Sequence, residues 1–247
     1  MSAPLQASLD KAGEHIRQRM ASLRPLCDDI VADLRALARD RVEYPAGRLF
    51  VSAGERFPLV YVLDAGWVFR SRSLPDGRRQ VLDYALPGDI LGSDAVLFGA
   101  SGFDLVARTP VRVLRLDAPG PADLWRRRPA FAAALAWTAA QEQSILAERV
   151  VSLGRRDSLE KLAYALCEMA RRLSAVGLLR GDTIESPVNQ EDFADMLGIS
   201  VIHINRTFRR LAAQGAAEYG KTRIRILDLD RLAEIAGFDA GYLHFAD

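Results

Sequence analysis

The chain has 247 residues, 49% hydrophobic and 26% charged, with a formal net charge of +1, a balance that excludes a disordered or fibrous polymer and fits one large or two ordinary folded domains. Its two cysteines, Cys27 and Cys167, exclude both a disulfide framework and a four-thiolate metal or iron–sulfur site within one chain. No apolar run approaches the roughly 20 residues of a membrane span and the N-terminal segment lacks a secretion signal's hydrophobic core, so a cytoplasmic protein with no membrane partner is expected.

In chain order, the first pattern is Leu23, Leu26, Ile30, Leu34 and Leu37 at helical spacing, which predicts helices packed against the segment C-terminal to them. From about Tyr44 to Leu116 come short β-like runs, LVYVLDAGWVFRSRS and RRQVLDYAL among them. They are punctuated at Gly47, Gly54, Gly66, Pro75-Asp76-Gly77 and Pro87-Gly88, the spacing of a barrel or jelly roll. After Pro129 a long helix is expected, with Phe131, Leu135, Ala139, Leu146, Val150 and Leu153 on one stripe for about six turns. Trp137, Ile145 and Val151 lie off that stripe, so more than one side of the helix is apolar. It is read as a dimerisation helix, although periodicity alone equally fits packing within one subunit. Gly154-Arg155-Arg156 interrupts the pattern as a hinge. Asp157 and Glu160 then form a capping box for a helix burying Leu159, Leu162, Ala163, Leu166, Ala170 and Leu173, with Cys167 beside that face as a structural residue.

The segment VNQEDFADMLGISVIHINRTFRRLAAQG reads as helix, tight turn, helix. Asn189 caps a short helix with Phe193, Met196 and Leu197 inward, Gly198 makes the turn, and Ser200 caps the second helix. On that second helix Val201, Ile204, Phe208 and Leu211 share the expected buried face. Arg206 is then nearly opposite, with Ile202, Arg209 and Arg210 beside it and His203 and Asn205 on the flanks. A turn at Gly220 and the alternation Lys221, Thr222, Arg223, Ile224, Arg225, Ile226 predict a β-wing. Six Lys or Arg against Glu218 give Ile199–Leu227 a local net charge of +5, masked in the whole chain partly by Asp182, Glu185, Glu191, Asp192 and Asp195. Such a surface neutralises phosphates, and an outward arginine matches guanine O6 and N7 in the major groove. Double-stranded DNA is the expected partner; the competing reading is a winged helix used for ligand or protein sensing, with its arginines solvated.

An enzyme is not expected. No histidine lies between His15 and His203, which removes the clustered histidines of a metal-binding β-roll. Neither a nucleophile with a partner base nor a glycine-rich phosphate loop is present, so no catalytic or metal-ligating residue is assigned.

From about residue 20 to the end, GWVFRSRSLPDGRRQVLDYALPGDILG followed by EDFADMLGISVIHINRTFRRL resembles the Crp/Fnr superfamily of bacterial transcription regulators. The resemblance implies an α+β chain in three parts: a jelly-roll sensor of the cyclic-nucleotide-binding type with N-terminal helices over residues 1–128, a dimerisation helix over 129–154, and a winged helix-turn-helix over 155–247. It implies a homodimer on palindromic DNA whose half-sites lie about 34–36 Å apart. RNA polymerase is a further partner if the protein activates. DNA contacts are expected from Ser200, Ile202, His203, Asn205, Arg206, Arg209, Arg210, Lys221 and Arg223, with Arg206 at the family's base-reading arginine.

An effector pocket would involve Gly88, Asp89, Gly92, Ser93 and Ser101. Cyclic-nucleotide-binding relatives place a glutamate and an arginine in this stretch; here Ser93 stands at the first position and Ser101 near the second, with only Asp89, Asp94 and Asp104 supplying charge. No cofactor is expected. A buried phosphate without a cation argues against cyclic AMP. The lone Cys27 among N-terminal residues argues against an iron–sulfur cluster, and reliance on His15 or Cys27 argues against haem.

Overall fold

The computed structural model describes residues 3–56, 59–117, 119–220 and 223–245. The chain forms two compact units. The first comprises residues up to Arg72, Tyr84–Gln143 and the chain from His244; the second comprises Ser73–Asp83 and Ser144–Leu243.

In the first unit, α1 (Ala3–Arg19) buries Leu9, Ala12 and Ile16 at helical spacing, and α2 (Cys27–Leu37) buries Ile30, Val31 and Leu34. A 3-10 turn over Ala21–Leu26 joins them. Two antiparallel four-stranded sheets come next. One has the order β1 (Ala38–Tyr44), β8 (Val111–Asp117), β3 (Leu59–Ala65), β6 (Ile90–Leu91). The other has the order β2 (Leu49–Val51), β7 (Asp104–Ala107), β4 (Val68–Ser73), β5 (Arg79–Ala85).

Strand β3 is apolar at successive positions because both its faces are covered. Val60 and Val62 join α1 and α2 in one core, while Tyr61 and Leu63 join Val51, Val68, Leu105, Ala107 and Val113 inside the roll. Gly66 makes the β3–β4 turn at φ +90°, and a Cβ there would run into the Pro110 carbonyl, so no other residue fits.

The roll begins earlier than its hydrophobic pattern suggests. Strand β1 starts at Ala38 and alternates charged residues, held to β8 by the ion pair between Arg115 and Asp40. Helix α1 precedes the first helical pattern read from the sequence. Short helices α3 (Ser93–Phe98) and α4 (Pro121–Arg127) flank β7 and β8.

The long helix α5 runs over Pro129–Arg155, through Gly154 rather than stopping there. Asp33 of α2 anchors its start, accepting from the Phe131 amide at 3.3 Å and pairing with Arg128 at 3.0 Å. Phe131 and Leu135, placed by periodicity on a dimer stripe, are instead buried in the first unit's own core at 0% and 3% exposure. The helices beneath them already cover that face.

In the second unit, α6 (Ser158–Ala175) begins with the expected capping box: Asp157 accepts from the amides of Leu159 and Glu160 at 2.7 and 2.9 Å, and Glu160 accepts from the Asp157 amide at 2.8 Å. Next come α7 (Gln190–Leu197), α8 (Val201–Ala213) and α9 (Leu229–Ala236) with a three-stranded sheet, β10 (Ala217–Tyr219), β11 (Ile224–Ile226), β9 (Thr183–Ile184). Beneath them is a buried ionic cluster. Arg172 lies 2.7 Å from Asp83 and 3.5 Å from Glu168, and Glu168 also meets Arg149 at 3.3 Å and accepts from the Tyr242 hydroxyl at 2.9 Å. Burial and the adjacent Glu168 carboxylate push the Tyr242 hydroxyl upward, so it remains a donor.

Candidate nucleic-acid interface

Helix α7 is fixed at both ends by residues close in sequence. The Asn189 side chain accepts from the Asp192 amide at 2.9 Å while Asp192 accepts from the Asn189 amide at 3.0 Å, and Gly198 ends the helix at φ +64°. Ser200 then caps α8, its Oγ accepting from the His203 amide at 3.3 Å. Phe208, 4% exposed, locks α8 in place between Phe193 (ring centroids 5.6 Å apart, edge-on) and Tyr219 (4.5 Å). Ile204 and Leu211 are fully buried beside it. Val201, assigned to this buried face by spacing, is 43% exposed, because at the first turn α8 has not yet reached the sheet that covers Phe208.

Burial of that face leaves Ile202, His203, Arg206, Arg209 and Arg210 exposed on the other. Among the described residues no carboxylate pairs with Arg206, Arg209 or Arg210. Asn205 differs from the sequence expectation of an open flank: it is half-buried, and its Nδ2 donates to Gln190 Oε1 at 3.4 Å. His203 Nδ1 lies 2.9 Å from Ser200 Oγ.

The wing is antiparallel, pairing Glu218 with Arg225 and Tyr219 with Ile224. Arg223 is exposed, whereas Lys221 lies outside the described residues. Arg225 bonds Asp182 at 2.9 Å, holding that carboxyl below and the guanidinium above their usual ranges. The local charge available to a ligand is thus smaller than the residue count implied.

Two further acids near α8 are also engaged. Arg79, in the hairpin tip over residues 73–83, reaches Asp192 at 3.0 Å and Asp195 at 2.7 Å, and the Gln80 side-chain amide donates to the Met196 carbonyl at 3.2 Å. The sequence reading missed this contact.

The expected effector residues lie in the first unit. Gly88 adopts φ +90°, and a Cβ there would meet His15 Cβ at 2.6 Å. Asp89, read from the sequence as unneutralised charge, accepts from the Leu86 amide at 2.6 Å and forms a buried ion pair with Arg19 of α1. Gly92, also at φ +90°, precedes α3, and Ser93 is buried at its first position. Ser101 is buried with its hydroxyl donating to the Phe103 carbonyl at 2.7 Å. Asp94 ties α3 to that loop by accepting from the Gly102 amide at 2.6 Å. A cation that sequence reading passed over also faces inward here. Arg70 lies two residues after Val68 on the same face of β4, is 6% exposed, and pairs with Glu142 of α5 at 2.6 Å. Its period-2 relation to Val68 was the available signal.

Residues 41–127 match the cyclic nucleotide-binding domain family and residues 160–235 the Crp-like helix-turn-helix domain family. The nitrogen fixation regulation protein FixK of Bradyrhizobium diazoefficiens is 32% identical over 198 residues, covering 79% of this chain and 81% of the relative. The chain belongs to the Crp/Fnr family. The transcriptional activator protein FnrL of Cereibacter sphaeroides is 28% identical over 230 residues, 91% of each chain. Among solved structures, FixK2 from Bradyrhizobium japonicum superposes with a TM-score of 0.72 at 24% identity, covering 81% of this chain and 98% of that one, which shows the shared fold. As a Crp/Fnr member with a complete helix-turn-helix, the protein is a DNA-binding transcription regulator. No described helix is long and apolar enough to cross a membrane.

Proposed function

We propose that this Crp/Fnr regulator binds palindromic operators as a cytoplasmic homodimer, laying one α8 in the major groove of each half-site. The observation that carries this reading is the outward face of α8, where three arginines with no carboxylate partner among the described residues stand over a helix clamped by Phe193, Phe208 and Tyr219. Exposed guanidiniums on a rigid helix suit both phosphate neutralisation and bidentate contact with guanine. Selection from a randomised duplex pool, with no effector added, tests it: a palindrome with half-sites about one helical turn apart is expected. Failure to enrich any sequence would refute effector-independent binding. The FnrL relative is named an activator, which supports RNA polymerase as a second partner.

The dimer seam is assigned to the exposed stripe of α5 formed by Ala136, Ala140, Gln143, Ala147, Val150 and Gly154. These residues recur at alternating spacings of four and three, the repeat of a coiled-coil seam. Val150, 69% exposed in the single chain, is its largest apolar member. Leu146 and Leu153 are half-buried beside it, as is Ala139. Val150→Glu brings two carboxylates together across a two-fold axis, and sedimentation is expected to show dimer affinity weakened by about 100-fold or more. An unchanged dimer would move the interface elsewhere.

Cyclic AMP is not proposed as the effector. By sequence position Ser93 stands where nucleotide-binding relatives place a glutamate and Ser101 near their arginine, and the inward-facing Arg70 is already engaged by Glu142. Calorimetric titration is expected to give no saturable heat at micromolar cyclic AMP; a saturable isotherm would overturn this assignment.

A further inference from the structure

The outward face of α8 carries one large apolar side chain. Ile202 is 65% exposed on the first turn of the helix, with Arg206 and Arg209 at i+4 and i+7 on the same side. Its apolar neighbour Val201 points elsewhere and lines a cleft with Leu74, Arg79, Gln80 and Asp195. Ile202 therefore projects alone, an aliphatic group set among cations.

The company it keeps identifies the occupant. A protein surface docking here would have to bury Arg206, Arg209 and Arg210, for which the face itself offers no carboxylate. Duplex DNA supplies the anions along both strands and, in the major groove, a single kind of apolar group, the 5-methyl of thymine. Against cytosine N4 or guanine O6 the same side chain would desolvate a polar atom without replacing its hydrogen bond. The helical rise places Ile202 about 6 Å along the axis from Arg206, close to two base-pair steps.

We propose that Ile202 reads thymine, by packing on its 5-methyl group within about two base pairs of the base contacted by Arg206. This rests on the operator-binding reading above and makes that reading specific at one further position in each half-site.

The test uses the full-length protein and its selected duplex. The Arg206 position is located first, as the base pair whose identity ceases to matter in Arg206→Ala. Each nearby thymine is then replaced by uracil, which removes only the methyl. For the native protein, one such replacement per half-site is expected to weaken binding about fourfold, and both together about fifteenfold. In Ile202→Ala, whose altered side chain is exposed and leaves the fold intact, the same replacements are expected to change binding less than twofold. The proposal is overturned if no thymine lies within that reach, if uracil is tolerated at every position, or if the uracil penalty persists in Ile202→Ala. Enrichment of no duplex at all would instead overturn the operator-binding reading beneath it, a separable result.

Discussion

Arg172→Met is expected to destabilise the second unit by about 3–5 kcal/mol, read as a lower denaturant midpoint of that unit's unfolding transition. Asp83 would lose the guanidinium that sits 2.7 Å away, and Glu168 the one at 3.5 Å, in a site where these side chains are 2–4% exposed. Glu168 would keep Arg149 and the Tyr242 hydroxyl. No loss of stability from Arg172→Met would show that the cluster is solvated in solution.

The architecture was legible wherever its cause is local. The capping box at Asp157, the cap at Asn189, the turn at Gly198 and the inward Phe193, Met196 and Leu197 depend on neighbours within four residues, and the structure has each of them as read. Contacts between distant segments were not legible. Arg79 meets Asp192 and Asp195 across 113 and 116 residues, and Arg19 meets Asp89 across the whole first half of the roll. In a linear reading these are four solvated charges and one unpaired acid.

Helix α5 failed differently. Its apolar periodicity runs as if one face served the entire length, but the first turns bury Phe131 and Leu135 in the core shared with α1, α2 and the roll. The exposed row from Ala136 to Gly154 is therefore offset from the predicted one. Strand β1 was passed over because an edge strand held by Arg115 and Asp40 alternates charges rather than apolar residues. Within the candidate interface, periodicity located the outward arginines because the buried face of α8 is strongly apolar. The engagement of Asn205 was not legible because its partner Gln190 belongs to the preceding helix.

Arg206→Ala is expected to cost about 1–3 kcal/mol for each half-site, and hence about twice that on a palindrome bound by both subunits. The loss should be selective. If Arg206 donates to guanine O6 and N7, the variant's affinities for duplexes differing at that base pair converge, while its discrimination at the Ile202 position is kept. Salt dependence separates this role from phosphate neutralisation. Removing a phosphate-binding cation lowers the slope of log affinity against log salt by about one per contact and weakens all sequences alike. Arg210→Ala, on the other flank of the exposed face, is expected to behave in that second way. Arg209→Ala, on the same side as Ile202, is expected to share both signatures only if it reaches the edge of the groove. A fluorescence anisotropy series over salt concentration and single-base variants distinguishes the two classes in one data set. Should Arg206→Ala lower the salt slope and leave base preference intact, α8 would be bound across the phosphate backbone rather than along the groove, and the reading role of its outward face would have to be reassigned.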